Sequence, residues 1–163
     1  MTMTFTTPNL CDQFSETHHL QIGEPIFLRF GGNNAFSGRV TTLKVFEDNV
    51  LIRKALEETV SDGVLVIDGG GSHRCALLGG NLSRLACENG WAGIIVYGCI
   101  RDSVELNELP IGIRALHTHP LKSHKRGNGD RDKLISFAGI NFRTGNYVYA
   151  DEDGIVVADE KLI

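Results

Sequence analysis

Residues 63–98 read GVLVIDGGGSHRCALLGGNLSRLACENGWAGIIVYG, and their pattern of apolar and polar residues indicates a layered α/β fold. GVLVIDGGG (63–71) is an apolar run closed by glycines, which is typical of a strand buried on both faces. GNLSRLACENGW (80–91) predicts a helix that Gly90 ends, and AGIIVYG (92–98) predicts a second buried strand. A strand, a helix and a strand in this order favour parallel strands joined by a crossover helix.

The sequence around this stretch extends the same architecture. Alternating β-branched residues predict strands, and apolar residues at helical spacing after a capping residue predict helices. By these criteria we expect a helix with Thr7 as its N-cap (7–15), a strand (36–46), a helix capped by Asp48 or Asn49 (50–60) and a third buried strand (113–120).

The carboxyl-terminal part has a different pattern. LISFAGINFRTGNYVYADEDGIVVAD (134–159) holds three strand-like segments, with turn signals at Thr144-Gly145 and Asp153-Gly154. We therefore expect antiparallel ribbons there, after a parallel central part. A chain of 163 residues is expected to form one domain, residues 1–163.

Composition limits the classes of partner. The formal net charge is −4, from 16 basic and 20 acidic residues, so we expect no direct binding of nucleic acid or of an anionic membrane. The start, MTMTFTTPNL, has no basic and apolar leader, and no apolar run approaches the roughly 18 residues that span a bilayer. The four cysteines (Cys11, Cys75, Cys87 and Cys99) form no C-x-x-C pair, which favours reduced thiols and a cytoplasmic location.

Polar residues and glycines follow the carboxyl ends of the predicted parallel strands. In open α/β sheets, ligands bind at this end of the strands. One strand ends in Asp68 and three glycines, and the next ends before Arg101 and Asp102. The Gly79-Gly80 turn leads into the helix between them. If the two strands are neighbours, all three features lie on one rim of the sheet.

The start of that helix is a candidate anion site. Its first N–H groups lack partners within the helix and carry the positive end of the helix dipole, and glycine lets a ligand approach the backbone. The backbone of Gly79, Gly80, Asn81 and Leu82 is therefore a candidate for holding a carboxylate or a phosphate.

Three side chains after the second strand add complementary chemistry. Arg101 offers a permanently charged fork for an anion or a developing enolate oxygen. Asp102 is a hard oxygen ligand for a divalent cation such as Mg²⁺ or Mn²⁺, and Glu105 is a second one, directly or through water. Together they suit an α-keto acid whose C–C bond breaks to give an enolate. The alternative is that Arg101 and Asp102 form a structural ion pair.

Other motifs give weaker indications. GGGSHR (69–74) matches neither a phosphate-binding P-loop nor G-x-G-x-x-G, and we interpret it as a tight strand-to-helix turn. His117 and His119 share one face of a predicted strand but have no third zinc ligand at a familiar spacing. Lys44 is the one lysine placed where a Schiff base is conceivable. The general acid or base is not identified, and a metal-held water and a side chain from a neighbouring subunit both stay open.

The segment LKSHKRGNGDRDK (121–133) is basic, contains glycine and has no periodicity. It is either a solvated loop or a loop that becomes ordered over a neighbouring site or subunit.

Four stretches resemble the RraA-like family: FGGNNAFSGRVTTLKVFEDNVL (30–51), VLVIDGGGSHRCALLGGNLSRLA (64–86), WAGIIVYGCIRD (91–102) and YADEDGIVV (149–157). That family includes the regulator of ribonuclease E activity A. It also includes metal-dependent 4-hydroxy-4-methyl-2-oxoglutarate aldolases, which also decarboxylate oxaloacetate.

One motif separates these two branches. The aldolases carry Gly, twenty residues, Arg-Asp, two residues and then Asp or Glu, and Gly80, Arg101, Asp102 and Glu105 fit this spacing. The regulator branch keeps the Arg but lacks the Asp. The resemblance implies substrate contacts from the backbone of 79–82, substrate binding by Arg101, metal ligation by Asp102 and an outer-shell position for Glu105.

The resemblance also carries expectations about fold, activity and assembly. It implies a swivelling-type α/β/β sandwich and a ring-shaped homotrimer with sites near subunit boundaries. It implies a lyase that uses a divalent metal (Mg or Mn) and a small α-keto acid, and passes through a pyruvate enolate. The alternative is a non-catalytic module that binds and inhibits ribonuclease E.

Overall fold

A computed structural model describes residues 4–163 of the chain. That part holds four helices and twelve strands, and all four helices precede β7. The helices are α1 (Thr7–Phe14), α2 (Val50–Leu56), α3 (Gly80–Glu88) and α4 (Ser103–Leu106). The strands are β1 (Leu20–Ile22), β2 (Leu28–Phe30), β3 (Phe36–Lys44), β4 (Gly63–Asp68), β5 (Ala76–Leu78), β6 (Trp91–Ile100), β7 (Gly112–Thr118), β8 (Asp130–Arg131), β9 (Ile135–Phe137), β10 (Ile140–Phe142), β11 (Tyr147–Ala150) and β12 (Ile155–Ala158).

Ten of the strands form one mixed sheet. Its main path runs β1-β12-β11-β3-β4-β6-β7-β2, with β5 added beside β6 and β8 beside β3. The central strands β3, β4, β6 and β7 are parallel, whereas β11, β12 and β1 pair antiparallel at one side. The predicted α/β class, with a parallel centre and antiparallel carboxyl-terminal strands, is confirmed.

Both faces of the central strands are covered, which makes the molecule a layered sandwich. Alternate residues of β4 point to opposite faces, so Leu65 and Ile67 pack against one apolar layer and Val64 and Val66 against another. Helices α2 and α3 contribute to the first layer, and the ribbon of β9 and β10 contributes to the second. Every residue of β4 is buried, as the continuous apolar run predicted.

Local differences from the sequence expectations have simple causes. Thr6, and not Thr7, is the N-cap of α1, because the Thr6 hydroxyl accepts a hydrogen bond from Asn9 N at 3.3 Å. The turn at 69–74 leads into a strand, β5, rather than directly into a helix. Gly70 and Gly71 adopt positive φ values of 69° and 71° in the turn after β4, and β5 then pairs with β6 in the same direction as β4 does.

Two further features concern the ends and surfaces of the fold. The carboxyl-terminal part holds four strands, β9–β12, where three segments were expected. Across residues 4–163, no helix combines the length and the apolar character needed to cross a membrane.

Candidate active site

The end of β6 is tied to the end of β5, and this pairing brings the predicted residues together. Arg101 N donates a hydrogen bond to Leu78 O at 2.9 Å, directly after the last paired residues of the two strands. Helix α3 begins at Gly80 with Gly79 at its N-cap position. The start of α3 and the residues after β6 therefore share one rim of the sheet, as parallel neighbouring strands require.

Asp102 points back to the start of α3. Its φ and ψ are 59° and 40°, a left-handed conformation in which Asp is enriched. It occupies the N-cap position of α4 but makes no side-chain bond to that helix. Instead, Asp102 Oδ2 accepts the Gly80 N–H at 2.8 Å, so the carboxylate is held over the first turn of α3.

Two glycines give the carboxylates their space. A Cβ atom at position 79 would lie 2.8 Å from Asp102 Oδ2, closer than real Cβ contacts allow. A Cβ atom at position 80 would collide with the carboxylate of Glu105. The absence of both side chains is therefore a steric condition for the positions of Asp102 and Glu105.

Glu105 has a partner that the sequence did not indicate. Its carboxylate forms a salt bridge with the guanidinium of Arg84, on the exposed side of α3. The positive charge of Arg84 therefore balances the negative charge of Glu105. That Glu105 contacts a metal through water stays a prediction.

Arg101 is partly buried, and its Nη1 donates a long hydrogen bond of 3.4 Å to Pro120 O. Among the salt bridges of residues 4–163, none joins Arg101 to Asp102. The alternative of a structural ion pair is therefore not the arrangement in this structure, and the guanidinium is available to an anion.

Two backbone amides at the start of α3 are also available. Gly80 N–H is used by Asp102, and Ser83 N donates to Gly79 O at 3.0 Å. Within the described part of the chain, the N–H groups of Asn81 and Leu82 have no hydrogen-bond partner. Of the four residues predicted to contact an anion, Asn81 and Leu82 thus offer free donors.

These groups line an open cleft of about 90 Å³. The predicted residues 79–82, Arg101 and Asp102 all border it. Glu105 does not, and neither do Asp68 and the three glycines after it, which were expected on the same rim. Three cations that sequence reasoning did not assign to the site border it as well: Arg53 from α2, and Lys122 and Lys125 from the basic segment 121–133. The one signal for the two lysines was the basic composition of that segment.

The remaining candidates lie apart from the cleft. His117, His119 and Lys44 do not line it, and no group of three or more His, Cys, Asp or Glu side chains in residues 4–163 is arranged to hold a metal by itself. A larger groove of about 770 Å³ lies at the other end of the parallel strands, near Gly38, Asp62 and Trp91, and contains none of the predicted residues.

The chain as a whole is similar to several known proteins. The model of the RraA-like family, described as Aldolase/RraA, matches residues 7–157. A protein of Methylococcus capsulatus named "Putative 4-hydroxy-4-methyl-2-oxoglutarate aldolase" is 72% identical over 99% of this chain and 100% of its own length.

Two solved structures are similar to the whole fold. One, from Geobacillus kaustophilus, is described as an S-adenosylmethionine:2-dimethylmenaquinone methyltransferase. It is 51% identical to this chain and has a TM-score of 0.94. The match covers 97% of each chain. The other is described as the RNA-processing inhibitor RraA from Thermus thermophilis. It is 46% identical with a TM-score of 0.93, over 99% of this chain and 96% of that one.

Proposed function

Since this chain belongs to the RraA-like family, we propose that it is a divalent-metal-dependent lyase that cleaves 4-hydroxy-4-methyl-2-oxoglutarate into two molecules of pyruvate and decarboxylates oxaloacetate. Similar proteins are named as an aldolase, a methyltransferase and an RNA-processing inhibitor, so their names do not agree on one function. We therefore base the choice among these functions on the residues of the cleft. The observation that carries the proposal is the fixed Asp102 carboxylate beside the free amides of α3 and the guanidinium of Arg101.

The cleft fits a magnesium or manganese ion. Asp102 Oδ2 is bonded to Gly80 N, which leaves Oδ1 for a metal. Mg²⁺ is commonly bound through one or two carboxylates and keeps several waters, so a single free carboxylate oxygen is sufficient when substrate oxygens and water complete the set. Glu105 would act in the outer shell through water. When bound, the ion supplies a Lewis acid that polarises the keto group of the substrate.

The start of α3 would bind the carboxylate next to the keto group. The N–H groups of Asn81 and Leu82 are unpaired donors on the first turn of a nine-residue helix, where the helix dipole favours a negative charge. Binding there fixes the substrate's orientation.

Arg101 would stabilise the charge that develops during bond cleavage. In both reactions the electron pair of the breaking C–C bond moves to the carbon beside the keto group and is delocalised onto the keto oxygen as an enolate. A guanidinium that is held near this oxygen lowers the energy of the transition state more than that of the substrate. In the aldol cleavage the other fragment leaves as a second pyruvate, whose keto group forms as the 4-hydroxyl group loses its proton, and in the decarboxylation the other fragment leaves as CO₂. Protonation of the enolate carbon then gives pyruvate.

A pyruvate assay with oxaloacetate and with 4-hydroxy-4-methyl-2-oxoglutarate tests the proposal. We expect turnover in the presence of Mg²⁺ or Mn²⁺, its loss in EDTA and its return when excess Mg²⁺ is added. Activity that persists in Asp102→Ala would contradict the metal role of Asp102. Absence of pyruvate with either metal would contradict the lyase assignment itself.

A second candidate function is inhibition of ribonuclease E, and the likeness to the Thermus RraA structure favours it. The net charge of −4 argues against an action through RNA binding, so inhibition would require contact with the nuclease. A cleavage assay with purified ribonuclease E, combined with a pull-down, tests this. Tight binding and inhibition without metal-dependent pyruvate release would favour this function over the lyase.

A further inference from the structure

The cleft contains more positive charge than a pyruvate unit requires. Arg53, Lys122 and Lys125 border it in addition to Arg101, and Asp102 is the one carboxylate in its lining. The amides of α3 and Arg101 are enough for one carboxylate and one enolate oxygen. Three cations therefore remain on a chain whose net charge is −4.

The backbone that carries the two lysines is held in place on both sides. Ala76 N donates to Leu121 O at 2.7 Å, beside the bridge between Ala76 and Lys122. His124 N donates to Glu47 O at 2.8 Å. Lys122 and Lys125 therefore extend from an ordered segment. When they bind an anion, less conformational entropy is lost than if they extended from a mobile loop.

Asp48 fixes the middle of the basic segment 121–133. Its side chain is buried, and its Oδ2 accepts the N–H groups of Arg126 at 2.7 Å and Gly127 at 2.9 Å, while Oδ1 accepts Val50 N at 3.1 Å. The same carboxylate thus connects the basic segment to the start of α2, the helix that carries Arg53.

We propose that Arg53, Lys122 and Lys125 form a subsite for the second carboxylate of a dicarboxylic 2-keto acid, and that this subsite sets the preference for dicarboxylic over monocarboxylic substrates. The inference rests on the proposed function, in which a keto acid occupies the cleft. Hydrogen bonds to charged groups contribute enough to change affinity about tenfold to a hundredfold.

Binding of two non-cleavable analogues tests the subsite without catalysis. 2-Oxoglutarate and 2-oxopentanoate differ in whether a carboxylate or a methyl group stands at the far end. Their affinities are measured by isothermal titration calorimetry in Mg²⁺ for the unchanged chain, for the double variant Lys122→Met/Lys125→Met and for Lys54→Met. Lys54 is an exposed lysine on α2 that does not line the cleft, so it is the matched control.

We expect the unchanged chain and Lys54→Met to bind 2-oxoglutarate about tenfold or more tightly than 2-oxopentanoate. In the double variant we expect this ratio to fall toward one, while the affinity for 2-oxopentanoate stays the same. An unchanged ratio in the double variant, or no preference in the unchanged chain, would overturn the subsite.

The experiments distinguish failure of the subsite from failure of the lyase assignment. A ratio that falls as expected, in a chain that releases no pyruvate from any substrate, would retain the subsite and reject the lyase. Pyruvate release together with an unaltered ratio would retain the lyase and reject the subsite.

Discussion

The carboxylate of Asp102 accepts the backbone N–H of Gly80 at 2.8 Å, across 22 residues of sequence. This bond uses one amide at the start of α3 and leaves one carboxylate oxygen without a partner in the described part of the chain. The spacing between the glycine and the Arg-Asp pair therefore has a physical meaning, because β6 returns the chain to the point where α3 began.

Replacement of Asp102 by asparagine tests whether its charge is needed. Asparagine retains the shape and a carbonyl oxygen, but it is a much weaker ligand for Mg²⁺. We expect pyruvate release from oxaloacetate to fall about a hundredfold for Asp102→Asn, with an unchanged circular dichroism spectrum. Glu108→Gln, which neutralises an exposed carboxylate outside the cleft, should retain full activity. Equal activities of the two variants would count against a metal role.

Arg101 should be needed for turnover rather than for folding. We expect Arg101→Ala to lower kcat about 10²–10³-fold, because a donor to the developing oxyanion is lost. Arg101→Lys should recover part of this loss, since it keeps the charge but not the planar fork. The measurement is kcat for oxaloacetate decarboxylation, with the exposed Arg143→Ala as control. A change confined to KM would show that Arg101 binds substrate without stabilising the transition state.

The backbone conformation of Gly79 is one that alanine can adopt, but the space around Gly79 does not accommodate a Cβ atom. Its φ and ψ are −142° and −164°, an extended conformation that alanine adopts, yet the new Cβ would lie 2.8 Å from Asp102 Oδ2. We expect Gly79→Ala to displace the carboxylate and to lower kcat/KM about a hundredfold with little loss of stability. Gly154→Ala, where a Cβ has no neighbour within 4 Å, is the control. Normal kcat/KM in Gly79→Ala would show that the position of Asp102 is not critical.

Asp48 should make stability depend on acidic pH. Burial on its own would raise the pKa of Asp48, but four backbone N–H donors outweigh it and hold the pKa below its ordinary value. A carboxyl with a lowered pKa in the folded state stabilises the fold above its unfolded pKa of about 3.9, and this contribution is lost as the pH falls through the folded pKa.

We therefore expect Asp48→Asn to lower the free energy of unfolding by about 1–3 kcal/mol at pH 7. The difference from the unchanged chain should shrink as the pH falls below about 4. Urea denaturation at a series of pH values measures it, and Asp159→Asn, at an exposed position, should show no such difference. A difference that stays constant down to the acidic end would mean that Asp48 acts through shape rather than charge.

Much of the fold could be predicted because its signals are local. The apolar run of β4 and the glycine start of α3 each lie in a few consecutive residues, and together they imply the rim where Arg101 and Asp102 meet the start of α3. The three residues of β5 gave no such signal, because a strand of that length has no measurable periodicity and is defined by its pairing with β6.

The composition of the cleft could be predicted only in part. The position of the basic segment 121–133 beside the cleft depends on the hydrogen bonds between Asp48 and residues 126–128, which are 78 to 80 positions away in the sequence. The salt bridge between Glu105 and Arg84 likewise depends on how α4 lies against α3. No local pattern specifies such contacts, since they arise when distant segments fold onto the same rim.

The left-handed backbone of Asp102, with its side chain bonded to Gly80, means that the rim is preorganised. The negative charge cannot rotate away into water without losing that bond, so little reorganisation accompanies the arrival of a cation or a keto acid. Structures determined with and without a bound keto acid should accordingly superimpose at residues 79–82 and 101–102.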